Sequence, residues 1–333
     1  MSSDKGPKKR DLIPSGKREI TEYSSNLISR GLELVKNINR VESDDAEAYN
    51  NRGIAYWNKG QYDQEISDLT KGIEIDPGYA EAYFNRGITY WNKGQYGQAI
   101  SDFTKTIEIN PEFAEAYFNR GITYWNKGQY DQANSDFTKA IEINPEFAEA
   151  YYNRGNTYVE TGQYDQAISD YTKAIEINPG YAEAYCNRGI TYGETGQYEQ
   201  KISDYTKAIE INPEFAEAYF NRGNTYKKIG QYVQAISDYT KAIEINPEYA
   251  EAYFNRGITY WNKGQYDQAI SDYTKAIEIN PGDAEAYYLR GFIYYFKGEY
   301  EKSLKDIKKA HHLGYQTNPE FLDDLLKAWG GKR

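Results

Sequence analysis

Past Ala46, apolar and polar residues follow one pattern that returns every 34 positions. The copy from Ala80 to Phe113 shows it. Tyr83, Gly87 and Tyr90 fall at three- and four-residue steps on one stripe, which predicts a helix from Ala80 to Lys93. Gly94 is the natural stop, and a second helix is predicted from Tyr96 to Ile109. Asn110-Pro111 ends that helix, because the residue before a proline is driven out of the helical region. Connections this short force the two helices antiparallel. Copies start at Ala46, Ala80, Ala114, Ala148, Ala182, Ala216, Ala250 and Ala284, so eight of them fill residues 46–317. A fixed period of this size marks a stacked-repeat architecture, one elongated array rather than separate domains.

The flanks read differently. Residues 1–18 are rich in Lys, Ser, Gly and Pro and lack apolar periodicity, which predicts a disordered basic tail. Residues 19–45 predict an N-terminal capping helix, with Ile20, Tyr23, Leu27, Leu34, Ile38 and Val41 on one stripe. Residues 318–333 predict a C-terminal capping helix through Phe321, Leu322, Leu325, Leu326 and Trp329. Inside the array, the small position filled by Ala99 carries Glu65 in the first copy, Lys201 in the fifth and Ser303 in the eighth. Glu65 and Ser303 lie near the ends, where looser packing is expected. Lys201 must lead its amine out to solvent.

Composition sharpens this picture. Only 39% of residues are hydrophobic and mean hydropathy is −0.88, low for a compact globule but tolerable where each repeat buries its face against neighbours alone. The 36 tyrosines supply the missing apolar mass, burying a ring while the hydroxyl stays wet. Net charge is −11, which argues against general nucleic-acid binding and is compatible with basic partners. No apolar run approaches the ~20 residues of a membrane span, and the polar N-terminus has no signal-peptide core. Cys186 stands alone, so nothing calls for an oxidising compartment, and a cytoplasmic protein is expected. The adjacent His311 and His312 do not face one another on a helix and make no metal site. There is no phosphate loop, nucleophile elbow or isolated acid pair, so no cofactor, metal or catalytic residue is expected, and the chain reads as a non-enzyme.

The run Tyr83, Gly87, Tyr90, Ala99, Phe103, Pro111 resembles the tetratricopeptide repeat (TPR) signature at its proper spacings, eight times in register. That resemblance implies an all-α, right-handed superhelix of antiparallel helix pairs, with the first helices lining a concave groove. It further implies a scaffold that binds a protein or an extended peptide in that groove.

Counting from the first alanine of each copy, two polar ladders stand out. Arg occupies the seventh position and Asp the twenty-third of every copy; structural ion pairs are expected, Arg86 with Asp102 and Arg120 with Asp136 among them. Asn occupies the sixth: Asn51, Asn85, Asn119, Asn153, Asn187, Asn221 and Asn255. In the TPR resemblance this position faces the groove, and the ladder resembles the TPR arm of O-linked N-acetylglucosamine transferases, although no transferase domain follows. An amide offers donor and acceptor to any peptide backbone; alternatively, it bonds only to neighbouring helices and water. Positions five, nine, twelve and thirteen vary from copy to copy and share one side of the first helix. They place Phe84, Phe118, Asn156, Asn224, Trp57, Trp91, Trp125, Trp261, Lys227 and Lys228 in the expected groove. TPR domains that clamp a C-terminal carboxylate use Lys or Arg at positions two, five and six. Glu, aromatics and Asn stand there instead, so that mode is not expected. Self-assembly through the convex face or the terminal repeats, giving a homo-oligomer, is the alternative.

Overall fold

The computed structural model describes residues 45–330, and its helices begin and end where the chain chemistry changes. The tail expected over 1–18 and the helix expected over 19–45 lie outside these residues, apart from Asp45. Asp45 caps the first helix by accepting from the Ala48 N–H at 2.7 Å. The described chain is all-α, with seventeen helices and no strand. It divides into two compact units between Gly196 and Gln197.

The first unit holds α1 (Ala46–Trp57), α2 (Tyr62–Ile75), α3 (Ala80–Asn92), α4 (Tyr96–Ile109), α5 (Ala114–Asn126), α6 (Tyr130–Ile143), α7 (Ala148–Glu160), α8 (Tyr164–Ile177) and α9 (Ala182–Glu194). Each odd-numbered helix from α1 to α7 pairs with the even-numbered helix that follows it. The second unit opens with α10 (Tyr198–Ile211), followed by α11 (Ala216–Lys228), α12 (Tyr232–Ile245), α13 (Ala250–Asn262), α14 (Tyr266–Ile279), α15 (Ala284–Phe296) and α16 (Tyr300–His312). It closes with α17 (Pro319–Gly330). Here α11 pairs with α12, α13 with α14 and α15 with α16.

The turns are made by glycine and proline. Gly94 takes φ 71°, a left-handed conformation that other residues resist, and lets two amides fold back onto α3. Its own N–H reaches Trp91 O at 2.9 Å and that of Gln95 reaches Tyr90 O at 2.8 Å, the paired bonds of a Schellman motif. At the far end of α4, Asn110 is extended ahead of Pro111, and its side chain accepts from the Glu112 N–H at 3.1 Å.

Close approach of paired helices depends on one residue. A Cβ on Gly87 would stand 2.7 Å from the ring of Phe103, which is fully buried against Phe84 and Ala99. Gly121 and Phe137 repeat the relation.

Two expectations about the small position fail. Glu65 and Ser303 sit in no loose end: both are buried, and neither Glu65 Oε2 nor Ser303 Oγ has a hydrogen-bond partner. Lys201 is half-buried, with its ammonium 5.8 Å from the centre of the buried Tyr205 ring. At the C-terminal end, Leu325 of α17 is buried with Leu304 and Ile307, with Tyr288, Tyr295 and Phe321 packed around them. No helix among the described residues is long and apolar enough to cross a membrane. Nor do these residues hold a group of metal-ligating side chains, and His311 and His312 are both exposed.

Candidate functional site

The seventh-position arginines are part of the frame. Arg86 donates through Nε and Nη2 to both carboxylate oxygens of Asp102, each at 2.8 Å. Arg120 holds Asp136 with the same two distances. The remaining guanidinium nitrogen reaches back one copy, Arg86 Nη1 to Thr70 Oγ1 and Arg120 Nη1 to Thr104 Oγ1, both at 2.9 Å. Thr104 in turn donates its hydroxyl to Ile100 O at 2.7 Å, so the one oxygen both accepts and donates. Tyrosine rings flank each cation, Tyr83 and Tyr90 lying 5.6 and 5.9 Å from Arg86. Burial works against the Arg120 charge, but the hydrogen bonds and charge of Asp136 together outweigh it, and the pKa lies above the ordinary value. Burial likewise pushes the Asp136 carboxyl upward, opposed by Arg120. The bidentate geometry keeps both partners charged. The second unit repeats the arrangement with Arg256, Asp272 and Thr240.

The asparagine ladder turns inward more than the resemblance implied. Asn85, Asn119, Asn153 and Asn187 are buried, while Asn51, Asn221 and Asn255 are half-buried. What each amide does depends on the fifth position one copy earlier. Where that residue is polar, the amide crosses to it: Asn85 Nδ2 donates to Asn50 Oδ1 at 2.9 Å and Asn187 Nδ2 to Tyr152 Oη at 2.8 Å. Where it is phenylalanine, the amide folds back onto its own helix. Asn119 then donates to Glu115 O, Asn153 to Glu149 O and Asn255 to Glu251 O, at 2.8, 2.8 and 2.9 Å.

Phe84 and Phe118 do not line an open groove. Both are buried, and each is covered by the aromatic residue that ends its own copy. Phe113 lies 4.7 Å from Phe84 between ring centres, and Phe147 lies 4.7 Å from Phe118. Asn156 is buried as well, accepting from Tyr171 Oη at 2.7 Å and from Asn187 Nδ2 at 2.9 Å. Asn224 is half-buried and accepts from Tyr239 Oη at 2.7 Å.

What remains accessible on the first helices is the end towards the turn. Trp57, Trp91, Trp125 and Trp261 are half-buried, with Asn92, Asn126 and Asn262 exposed beside the last three. Trp91 reaches forward onto the cluster around Phe118 and Ile122, and Trp261 lies 5.6 Å from the ring of Phe292. Three polar atoms of α3 and α5 themselves have no hydrogen-bond partner, Trp91 Nε1, Trp125 Nε1 and Asn119 Oδ1, and Gln95 Oε1 and Gln129 Oε1 in the turns that follow have none either. In the second unit Lys227 is half-buried with its ammonium on Asn255 Oδ1, and burial lowers its pKa. Lys228 is exposed and lies 4.8 Å from the ring of Tyr198.

Two features escaped the sequence reading. The threonine at the twenty-fifth position recurs in seven of the eight copies and the aromatic residue at the thirty-fourth in six, and that regularity was the available signal.

Family models described as TPR repeat match residues 58–94, 155–196, 192–230 and 223–264. Models described as tetratricopeptide repeat match 80–113, 114–147 and 250–283, and also 137–169 and 272–305. Together they run unbroken from 58 to 305. Among solved structures, a tetratricopeptide repeat protein from Parabacteroides merdae is 21% identical, with a TM-score of 0.55, 74% of this chain covered and 98% of that one. The Cut9-Hcn1 hetero-tetramer of APC/C is 18% identical at TM-score 0.52, covering 94% of this chain and 63% of that one. YrrB, described as a TPR protein with an unusual peptide-binding site, is 29% identical at TM-score 0.48, covering 55% of this chain and 95% of that one. No curated protein matches the chain.

Proposed function

The chain belongs to the tetratricopeptide repeat family of protein-interaction scaffolds, and on that premise we propose that it binds an extended peptide or partner segment along its first helices, centred on Trp91, Asn119 and Trp125. The observation that carries this reading is the set of unanswered polar atoms there, two indole N–H donors and one amide oxygen. Each such atom costs about 1–3 kcal/mol while it is buried and unmade. A peptide backbone brings both a carbonyl and an N–H at every residue, so it suits donors and an acceptor alike. These atoms are covered by neighbouring side chains, and binding requires the exposed ends of α3 and α5 to yield by rotation of the indoles.

The partner's chemistry follows from charge. Glu81 is exposed and Glu115 half-exposed on the first turns of α3 and α5. With a net charge of −11, the chain suits a basic segment there. On the same reading residues 46–317 are eight repeats, with α17 as the terminal cap, no catalytic centre is needed, and a cytoplasmic location fits a chain whose single cysteine, Cys186, is buried. A second reading, self-assembly through the C-terminal repeat, rests on Phe296, which is 65% exposed at the end of α15.

A position-resolved crosslinking experiment separates them. A photoreactive residue at Asn92 or Asn126 is expected to capture a partner from native lysate, and the same residue at Lys105 or Lys139 on the second helices is not. Capture from the second helices alone sinks the first-helix reading. Adducts between two copies of the chain, formed from Phe296, favour self-assembly.

A further inference from the structure

The twenty-first position, on the second helix of each copy, is polar in the third copy alone. Isoleucine or leucine fills it elsewhere, Ile100 and Ile168 in the adjoining copies, and Asn134 fills it on α6. Asn134 is half-buried, its amide has no hydrogen-bond partner among the described residues, and its Oδ1 is shielded from water. An unmet amide there costs stability that an isoleucine would not. The change extends to Thr138. In the six other copies with this threonine, the hydroxyl donates to the backbone oxygen four residues earlier, as Thr104 does to Ile100 O at 2.7 Å. Thr138 makes no such bond to Asn134 O, and only accepts, from Arg154 Nη1 at 3.1 Å.

Asn134 and Thr138 line a cavity of about 500 Å³ on α5 and α6, together with Tyr117, Asp131, Ser135 and Lys139. Most of its charges are paired, Arg120 with Asp136 and Lys139 with Glu142. Asp131 is exposed and has no ion-pair partner among the described residues. The chain itself shows what an acid in this eighteenth position takes. At two junctions such an acid is followed by a lysine at the fourteenth position of the next copy, and both times they pair. Lys93 Nζ meets Asp63 Oδ1 at 2.6 Å, and Lys297 meets Asp267. The copy after Asp131 offers Thr161 instead.

We infer that this cavity binds a small primary amine as its alkylammonium ion. The Asp131 carboxylate takes the charge, and Asn134 Oδ1 takes a second N–H once rotation about its last side-chain bond brings it to the cavity. Ser135, one turn on from Asp131 along the same face of α6, offers a third acceptor to an ion with three donors. The volume is that of a small-molecule pocket. Asp165 supplies the comparison within the chain. It too is followed by a threonine, Thr195, but Ile168 stands where Asn134 would, so the charge is there without the amide. The site uses none of Trp91, Asn119 and Trp125, and it holds or fails without the first-helix reading.

Butylamine is the probe and butanol its uncharged counterpart, titrated into the full chain with its asparagine side-chain amides isotopically labelled for NMR. The resonance missing from Asn134→Ile identifies the reporter. It should shift with butylamine in the millimolar range at low salt, less so as salt rises, and at least about tenfold less readily with butanol. Asp131→Asn should weaken the response at least about tenfold, and Asp165→Asn should leave it unchanged. Asn134→Ile should melt at a higher temperature than the parent, and saturating amine should raise the midpoint of the parent but not of that variant. A lower midpoint for Asn134→Ile would show that the fold itself answers the amide, and overturns the inference. An equal response to butanol, or a response to butylamine that survives Asp131→Asn, does so as well. So does a peptide, Gly-Gly-Lys-Gly-Gly, that binds more tightly than butylamine, which would make a partner's lysine the occupant.

Discussion

Tyr171 donates its hydroxyl to Asn156 Oδ1 at 2.7 Å, deep between α7 and α8. Tyr273 occupies the same position of the seventh copy, but Ile258 stands where the asparagine would be, and its buried hydroxyl has no partner. Burial pushes the hydroxyl pKa of Tyr171 well above the ordinary value and is the leading cause of the rise at Tyr273.

The two tyrosines should therefore respond oppositely to loss of the hydroxyl. Tyr171→Phe removes a made hydrogen bond and should lower stability by about 1 kcal/mol. Tyr273→Phe removes an unmade one and should leave stability unchanged or raise it. Urea unfolding of the two variants, compared by midpoint, decides; equal losses would mean that the Asn156 contact contributes nothing.

Gly87 is fixed by packing against Phe103, not by its turn-forming freedom, because it lies inside a helix. Gly87→Ala should cost about 1–3 kcal/mol by overpacking. Gly97, with open space around its Cβ position, is the control, and its alanine variant should be neutral or stabilising by up to about 1 kcal/mol. Thermal unfolding of the pair checks this, and a neutral Gly87→Ala would show that the ring can move aside.

The period, the helix pairs and the stops at Gly94 and Pro111 could all be read from the sequence, since each depends on local chemistry repeated in register. The partnership of Arg and Asp was also open to reading, because their sixteen-residue offset never varies. The inward turn of the fifth and sixth positions was not. Helical spacing puts Phe84 and Trp91 on one stripe but does not say what covers the stripe. Phe113 closes over Phe84 from the following turn, and a period counted along one helix carries no information about that lid. The asparagines depend on the residue 35 positions earlier, a contact between copies that no single copy displays.

Removing one member of an Arg–Asp pair should be far costlier than editing the surface. Asp136→Asn leaves Arg120 buried with half its partnership and should cost about 3–5 kcal/mol. Arg120→Lys should recover little, since an ammonium cannot make the two parallel bonds and still reach Thr104. Urea midpoints near those of the parent chain for both variants would show the pair to be dispensable.

Glu65 should make the first copy sensitive to pH. Burial raises its carboxyl from 4.5 to about 8, only partly offset by a hydrogen bond with Thr89. Over that window the folded state keeps the proton that the unfolded chain has lost. Stability is thus fully present below about 4.5 and is lost as pH rises towards 8, by at most about 1.4 kcal/mol per unit. Glu65→Ala should flatten this slope in thermal melts across the range. A parent chain whose melting does not fall between pH 5 and 8 relative to that variant would place the carboxylate in water.

Hydrogen–deuterium exchange of the full chain, with and without a captured partner, addresses the interaction face directly. If the partner lies along the first helices, protection concentrates at the turn ends of α3 and α5, around Trp91 and Trp125, while α4 and α6 exchange as before. Protection confined to α4 and α6, or no change in α3 and α5 at saturating partner, would contradict it.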